Sequence, residues 1–195
     1  MGFGIKRDLV IFDVETTGFK AHSSEITEVG LLKIDGETFE PLAQFSTLIK
    51  IDGEIPDRVV EITGITKEMC EKHGMDKDVV KNTVSDFCKG CILVAHNAQF
   101  DLEFFDVHFG IEPEYFYDTL TLSRKVDPSQ NSHKLGDICQ RYDISLKGAH
   151  RALNDVFATK DVLETFFKQH KETIKMFNRL SSKYGLNYRP ASLVE

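Results

Sequence analysis

The strongest hydrophobic signal along the chain is Leu9-Val10-Ile11-Phe12, an unbroken apolar run of the kind that forms a strand buried on both faces. It leads into Asp13-Val14-Glu15 and stops at Thr16-Thr17-Gly18. A second apolar stretch, Ile26 to Ile34, closes on the hairpin signal Asp35-Gly36. A third runs from Phe39 to Ile51, before another Asp-Gly at Asp52-Gly53. Short turns between successive strands predict an antiparallel meander. The period then changes. Pro56 to Cys70 predicts two short helices divided at Thr63-Gly64, and Asp76 to Lys89 places Val79, Val80, Val84 and Phe87 at helical spacing. Ile92-Leu93-Val94-Ala95 predicts a short buried strand, and Asn97 is a favourable N-cap for a helix reaching Phe109. Tyr115-Phe116-Tyr117 predicts a further strand ending at Asp118, followed by helices over Leu120–Lys125, Lys134–Tyr142 and Arg151–His170. A meander followed by alternating helix and strand is an α/β pattern, a mixed sheet flanked by helices. In this reading residues 1–170 form the main domain. Residues 171–195 form a C-terminal helical extension and tail, helical over Thr173 to Ser182 and loose from Tyr184 to Glu195.

Composition narrows the picture. A chain of 195 residues, 41% hydrophobic and 28% charged, can bury a core without disulfides or a structural metal. Phe, at 15 residues with no Trp, is expected to fill much of that core. The net charge of −7 disfavours general binding of polyphosphate through a basic face. If four of the carboxylates held cations, little of that negative charge would remain, and the bound ions would reverse the local sign. No apolar run approaches the ~18 residues of a membrane span. The segment Met1 to Arg7 also lacks the plan of a signal peptide. The expectation is a cytoplasmic protein with no membrane partner. Cys88-Lys-Gly-Cys91, with Cys70 and His73 upstream, could be read as a zinc site. Cys88 ends a predicted helix and Cys91 begins a buried strand, so reduced thiols packed in the core are the better reading.

Three separated segments carry candidate chemistry. Side chains alternate along a strand, so Asp13 and Glu15 project together from the end of a buried element. Their mutual repulsion is costly unless protons or cations are shared. Asp101, in His96-Asn97-Ala98-Gln99-Phe100-Asp101, falls in the first turn of the helix after the second buried strand. There it could simply complement the helix dipole, but its strand can lie beside the first. In His150-Arg151-Ala152-Leu153-Asn154-Asp155, residues five apart lie ~140° apart around a helix. His150 and Asp155 can therefore meet only if the histidine lies in the loop before the helix, where Lys147-Gly148 allows it. Oxygen ligands select hard cations such as Mg²⁺ or Mn²⁺. Two such ions ~3.5–4 Å apart suit hydrolysis of a phosphodiester, and an imidazole suits removal of a proton from water.

These three segments, in this order, resemble the exonuclease motifs of the DEDD superfamily, and the His-x-x-x-x-Asp spacing resembles its histidine subclass, DEDDh. Members include the epsilon-type proofreading subunits of bacterial replicative DNA polymerases. Gly64-Ile65-Thr66 and His133-Lys134-Leu135 are similar to connecting segments of that family. The resemblance covers residues 8–167. It implies a ribonuclease H-like mixed five-stranded sheet flanked by helices, and two Mg²⁺ or Mn²⁺ ions. By the same resemblance Asp13 bridges both ions, Glu15 and Asp155 complete the first site, Asp101 supports the second, and His150 is the general base. Thr16, Asn97 and Phe100 would lie at the terminal nucleotide. The implied activity is 3′→5′ removal of 5′-mononucleotides from DNA, preferably single-stranded, in proofreading or repair, with a DNA polymerase as possible partner. Two alternatives stay open at this point. One is an RNA 3′-exonuclease of the same subclass, because the motifs read phosphate and metal rather than the 2′-OH. The other is a non-catalytic polymerase-docking module, which has no need of four acids where phosphates approach.

Overall fold

The computed structural model describes residue 3 and residues 5–113, 115–146, 148–170, 178–182 and 185–189. Its frame is one sheet. Strands β1 (Leu9–Thr16), β2 (Ile26–Ile34) and β3 (Pro41–Leu48) form the expected antiparallel meander. Three helices follow, α1 (Asp57–Thr63), α2 (Lys67–His73) and α3 (Lys77–Cys88). Gly64, in the left-handed region with φ 70°, ends α1 at the point its sequence predicts. Strand β4 (Ile92–Ala95) leads into α4 (Ala98–Phe104), which widens into a π-helical turn over Phe105–Phe109. Strand β5 (Tyr115–Asp118) precedes α5 (Thr119–Val126), α6 (Leu135–Arg141) and α7 (Ala152–Gln169). Both β4 and β5 run parallel to β1, so the mixed five-stranded sheet implied by the resemblance is present in the order β3-β2-β1-β4-β5.

Two apolar layers fix what sits on each face. Along β1, Leu9 and Ile11 join one core with Val156, Val162, Leu163, Phe166 and Phe167 of α7. Val10, Phe12 and Val14 join the other, with Val80 and Val84 of α3 and Leu102 and Phe104 of α4. Alternation therefore assigns Asp13 and Glu15 to the α7 face. Burying a strand on both sides makes its end a place where a polar side chain must find a partner or a ligand. β1 pairs with β4 only as far as Ile11, opposite Val94, and the two strands part beyond it. A crevice at the carboxyl ends of parallel strands is where open α/β sheets place their ligands.

Three expectations are corrected. The third strand begins at Pro41 rather than Phe39 and ends at Leu48 rather than Ile51. Asp35 Oδ1 accepts hydrogen bonds from the N–H groups of Glu37 and Thr38, and Phe39 takes a left-handed φ of 63° that commits its ring to the core against Phe3. At the far end Ile49 still donates its N–H to the Thr27 carbonyl of β2 at 2.9 Å but lies outside the strand, in an isolated bridge to Met75. The helical extension expected over Thr173 to Ser182 is not helical where it is described: Asn178–Ser182 is a strand, β6, antiparallel to β5. Gly185–Arg189, expected to be loose, is its hairpin partner β7. The exposed edge of β5 offers unpaired backbone groups, and a hairpin satisfies them better than an isolated helical turn could. The rest of that C-terminal expectation lies outside the described residues. No described helix is long and apolar enough to cross a membrane.

Candidate active site

Of the carboxylates named from the sequence, Asp13 and Asp155 line one cavity and Glu15 clusters with Asp155, whereas Asp101 belongs to neither group. Asp13, Asp155 and His150 line one cavity of about 760 Å³, which Asn97 also lines. Ligand atoms of Glu15, His150 and Asp155 lie within 4.8 Å of one another, the only such group among the described residues. Asp155 occupies the first turn of α7, while His150 sits in the loop before it with a left-handed φ of 65°. That arrangement is the one their spacing requires. The His150 backbone N–H donates to Asp155 Oδ2 at 2.9 Å, so the loop is tied to the helix it precedes. Asp101 approaches from the other side of the sheet. It is buried, and its Oδ1 accepts the Val14 N–H at 3.2 Å, a group left free where β1 and β4 part.

Burial dominates the electrostatics. Asp13 is held well above the usual carboxylate range first by desolvation, then by the charges of Asp101, Glu15 and Asp155. Asp101 is raised chiefly by burial, against the lowering effect of the Val14 hydrogen bond. Asp155 is raised by burial, partly offset by the His150 N–H. Glu15 is pushed from 4.5 to about 7, by burial first and then by Asp155 and Glu28, with Arg151 acting the other way. Each acid binds its proton more tightly in the folded chain than in the unfolded one. Its stabilising contribution is thus complete below the ordinary carboxylate range and is lost as pH rises through the folded value. For Glu15 alone, moving from 4.5 to about 7 is worth ~3 kcal/mol at ~1.36 kcal/mol per pH unit. In EDTA the melting temperature is therefore expected to fall between pH 5 and 7.5, by on the order of 5–10 °C. A thermal scan that is flat or rising across that window would contradict the buried cluster.

The other named residues divide. Asn97 is exposed, has φ 66° and lines the cavity, but its side chain does not cap α4. Asp118 at the end of β5 does so instead, accepting from the N–H groups of Asn97 at 2.9 Å and Ala98 at 3.3 Å. The Thr16 hydroxyl donates to the Gly18 carbonyl at 2.7 Å and shapes the turn after β1. Phe100 is partly buried, with its ring 5.1 Å from that of Phe104. Thr16 and Phe100 do not line the cavity that Asn97 shares with Asp13. The cysteines pack as expected: all four are free, and burial pushes the Cys88 thiol up to about 12.

Two residues of β2 complete the site and escape sequence reasoning. Glu28 lies directly opposite Glu15 in the sheet register, a juxtaposition of like charges that is unfavourable by itself. Arg151 resolves it with a two-pronged pair: Nε lies 3.1 and 3.2 Å from the two Glu28 oxygens, and Nη2 lies 2.8 Å from one of them. Glu28 also accepts the Ala152 N–H at 3.0 Å, capping the start of α7. Gly30, opposite Asp13, lets that helix approach: a Cβ there would meet the Ala152 and Leu153 backbone at 2.7–2.9 Å. Together they set Asp155 against Asp13. Glu28→Ala leaves the buried Ala152 donor unpaired and frees Arg151. A loss of ~1–3 kcal/mol is expected by chemical denaturation, and a loss under ~0.5 kcal/mol, the usual scale of a neutral surface change, would remove Glu28 from this role.

Comparison with known proteins identifies the family. A family model described as exonuclease, of the RNase T type, matches residues 10–163. The chain is 33% identical over 188 residues to a PolC-type DNA polymerase III of Clostridium perfringens, covering 92% of this chain but 13% of that one. The chain thus spans about an eighth of the length of such relatives. It is also 33% identical over 166 residues to the DNA polymerase III subunit epsilon of Treponema pallidum, covering 82% of this chain and 76% of that one. Among solved structures, the zinc-bound complex of Escherichia coli exonuclease I with single-stranded DNA superposes with a TM-score of 0.77. It does so at 17% identity, over 86% of this chain and 42% of that one.

Proposed function

The chain belongs to the exonuclease family, and from that premise we propose that it is a metal-dependent 3′→5′ exodeoxyribonuclease releasing 5′-mononucleotides from single-stranded DNA ends. The observation that supports this best is the meeting of Glu15, His150 and Asp155 within 4.8 Å, on the face where Asp13 also projects. Carboxylates this crowded and partly buried repel one another, and a shared cation would offset that repulsion. The donor set fits a hard divalent ion, because carboxylate oxygens dominate and no thiolate takes part. Asp13, Glu15, Asp101 and Asp155 would hold two Mg²⁺ or Mn²⁺ ions. Bound there, such ions lower the pKa of water and offset charge on a phosphodiester.

The chain's own residues do the remaining work. His150, at the cavity rim, accepts the proton of the attacking water, and its backbone N–H keeps Asp155 in place. The water oxygen bonds to phosphorus as the 3′ oxygen of the preceding nucleotide leaves. Asn97 lines the cavity where the terminal nucleotide would enter, and Thr16 at the end of β1 and Phe100 on α4, outside that lining, would approach the same nucleotide from beside it. A DNA polymerase is the proposed partner, since the PolC-type relatives carry the matched segment within much longer chains, and the cytoplasm is the proposed location.

The test is digestion of matched DNA and RNA oligonucleotides, labelled at either end, with Mg²⁺ or Mn²⁺ and with EDTA. Stepwise loss from the 3′ end of DNA, abolished by EDTA, is expected. Release from the 5′ end first, or undiminished activity in EDTA, would overturn the proposal, and faster digestion of the RNA strand would reassign the substrate.

A further inference from the structure

We infer that the wall of the cavity facing the carboxylates is a second, phosphate-holding subsite, in which Arg124 and Lys134 grip the DNA backbone upstream of the bond being cut. The inference rests on the exonuclease reading above and adds to it the path of the strand. The cavity is unequal in charge. Asp13, Asp155 and His150 line it beside β1 and α7, while Arg124 of α5 and Lys134 of the turn before α6 stand on the wall built by residues 120–137, with one acid, Asp137, whose carboxylate accepts the Ser132 hydroxyl. Its volume, about 760 Å³, lies in the upper part of the ~300–1,000 Å³ range that encloses a whole drug-sized ligand. It therefore has room beyond the single phosphate that the carboxylate end would engage.

Both cations are exposed, and neither forms an ion pair among the described residues. Arg141 and Arg151, by contrast, are committed to Asp127 and Glu28. In a chain with 31 acids against 24 Lys and Arg, phosphate binding cannot rest on overall charge and must rest on local placement. A guanidinium offers phosphate a planar fork and an ammonium offers a mobile point charge. The wall that presents them is braced. The His96 ring, at the end of β4, shares a hydrogen bond with Thr119 Oγ1 at 2.9 Å and reaches the His133 backbone. The His133 ring meets Ser123 Oγ at 2.7 Å, and Arg141 Nη2 donates to the Ser132 carbonyl at 2.7 Å. The turn bearing Lys134 is thus fixed to α5, which bears Arg124, and to the strand end that bears Asn97. Such preorganisation reduces the ordering cost of binding a flexible strand.

The test compares the unmodified chain with the double variant Arg124→Ala/Lys134→Ala on two substrates, each with Mn²⁺. One is an oligothymidylate. The other is the p-nitrophenyl ester of thymidine 5′-monophosphate, which has one phosphate and nothing upstream of it. The ratio of kcat/KM for oligonucleotide over ester is expected to fall at least tenfold, through KM. The dependence of log KM on log salt should weaken by ~1.4, at ~0.7 for each single-strand phosphate that is no longer neutralised. Equal losses on both substrates, or an unchanged salt slope, would overturn the subsite. Cutting of neither substrate by the unmodified chain would instead overturn the exonuclease reading beneath it. Arg124→Gln/Lys134→Gln, with melting temperatures of all forms, separates loss of charge from loss of fold.

Discussion

Asp13→Ala is expected to lower turnover of single-stranded DNA by at least ~10³-fold, and at the same time to raise the melting temperature measured in EDTA. The two effects share one cause. Asp13 is pressed from several sides: burial is reinforced by the charges of Asp101, Glu15, Asp155 and Glu28. Removing it relieves repulsion throughout the cluster, so the protein without metal gains stability. The same removal takes away the carboxylate on which the others converge. If the cluster's cations supply several kcal/mol of charge stabilisation, and ~1.36 kcal/mol is a factor of ten, the loss reaches three or more decades. Single-turnover digestion and thermal melting on one preparation test both halves. Activity within tenfold of the unmodified chain would remove Asp13 from the centre of the site. A lower melting temperature in EDTA would show that packing, not repulsion, governs this position. Asp13→Asn, which keeps the shape and drops the charge, distinguishes these causes.

The parts of this site carried by local pattern were legible in the sequence. Four apolar residues before Asp13 mark a strand buried on both faces, and period two then aims Asp13 and Glu15 together. The five-residue interval from His150 to Asp155 forces a loop-then-helix arrangement. The supports of the site were not legible, because they depend on pairings far apart in sequence. Glu28 reads as an ordinary polar residue in a strand until register places it opposite Glu15 and topology brings Arg151, 123 residues later, onto it. Gly30 reads as a mild strand weakener until α7 is seen lying on it. Asn97 has the chemistry of an N-cap, yet Asp118 takes the role from a neighbouring strand. The C-terminal segment follows the same rule: helical pattern in Thr173 to Ser182 lost, where described, to an open sheet edge whose position only the fold reveals.

His150→Asn is expected to cost ~10²–10⁴-fold in kcat, the usual worth of a general base, with little change in the concentration of Mn²⁺ needed for half-maximal activity. Asparagine is chosen for a conformational reason. His150 holds φ at 65°, where most side chains are strained but asparagine is well tolerated. The backbone N–H that donates to Asp155 Oδ2 survives the change, so Asp155 keeps its orientation. What the variant loses is the imidazole at the cavity rim. His150→Ala removes the same group but adds strain at this φ, and by loosening Asp155 it should also raise the Mn²⁺ concentration that half-maximal activity needs. If the two variants lost kcat equally while only His150→Ala shifted the metal requirement, His150 would have two separable functions: its ring takes the proton, and its main chain positions a carboxylate. Full activity in His150→Asn would assign proton removal to another group, and the left-handed backbone would then serve the His150–Asp155 hydrogen bond alone.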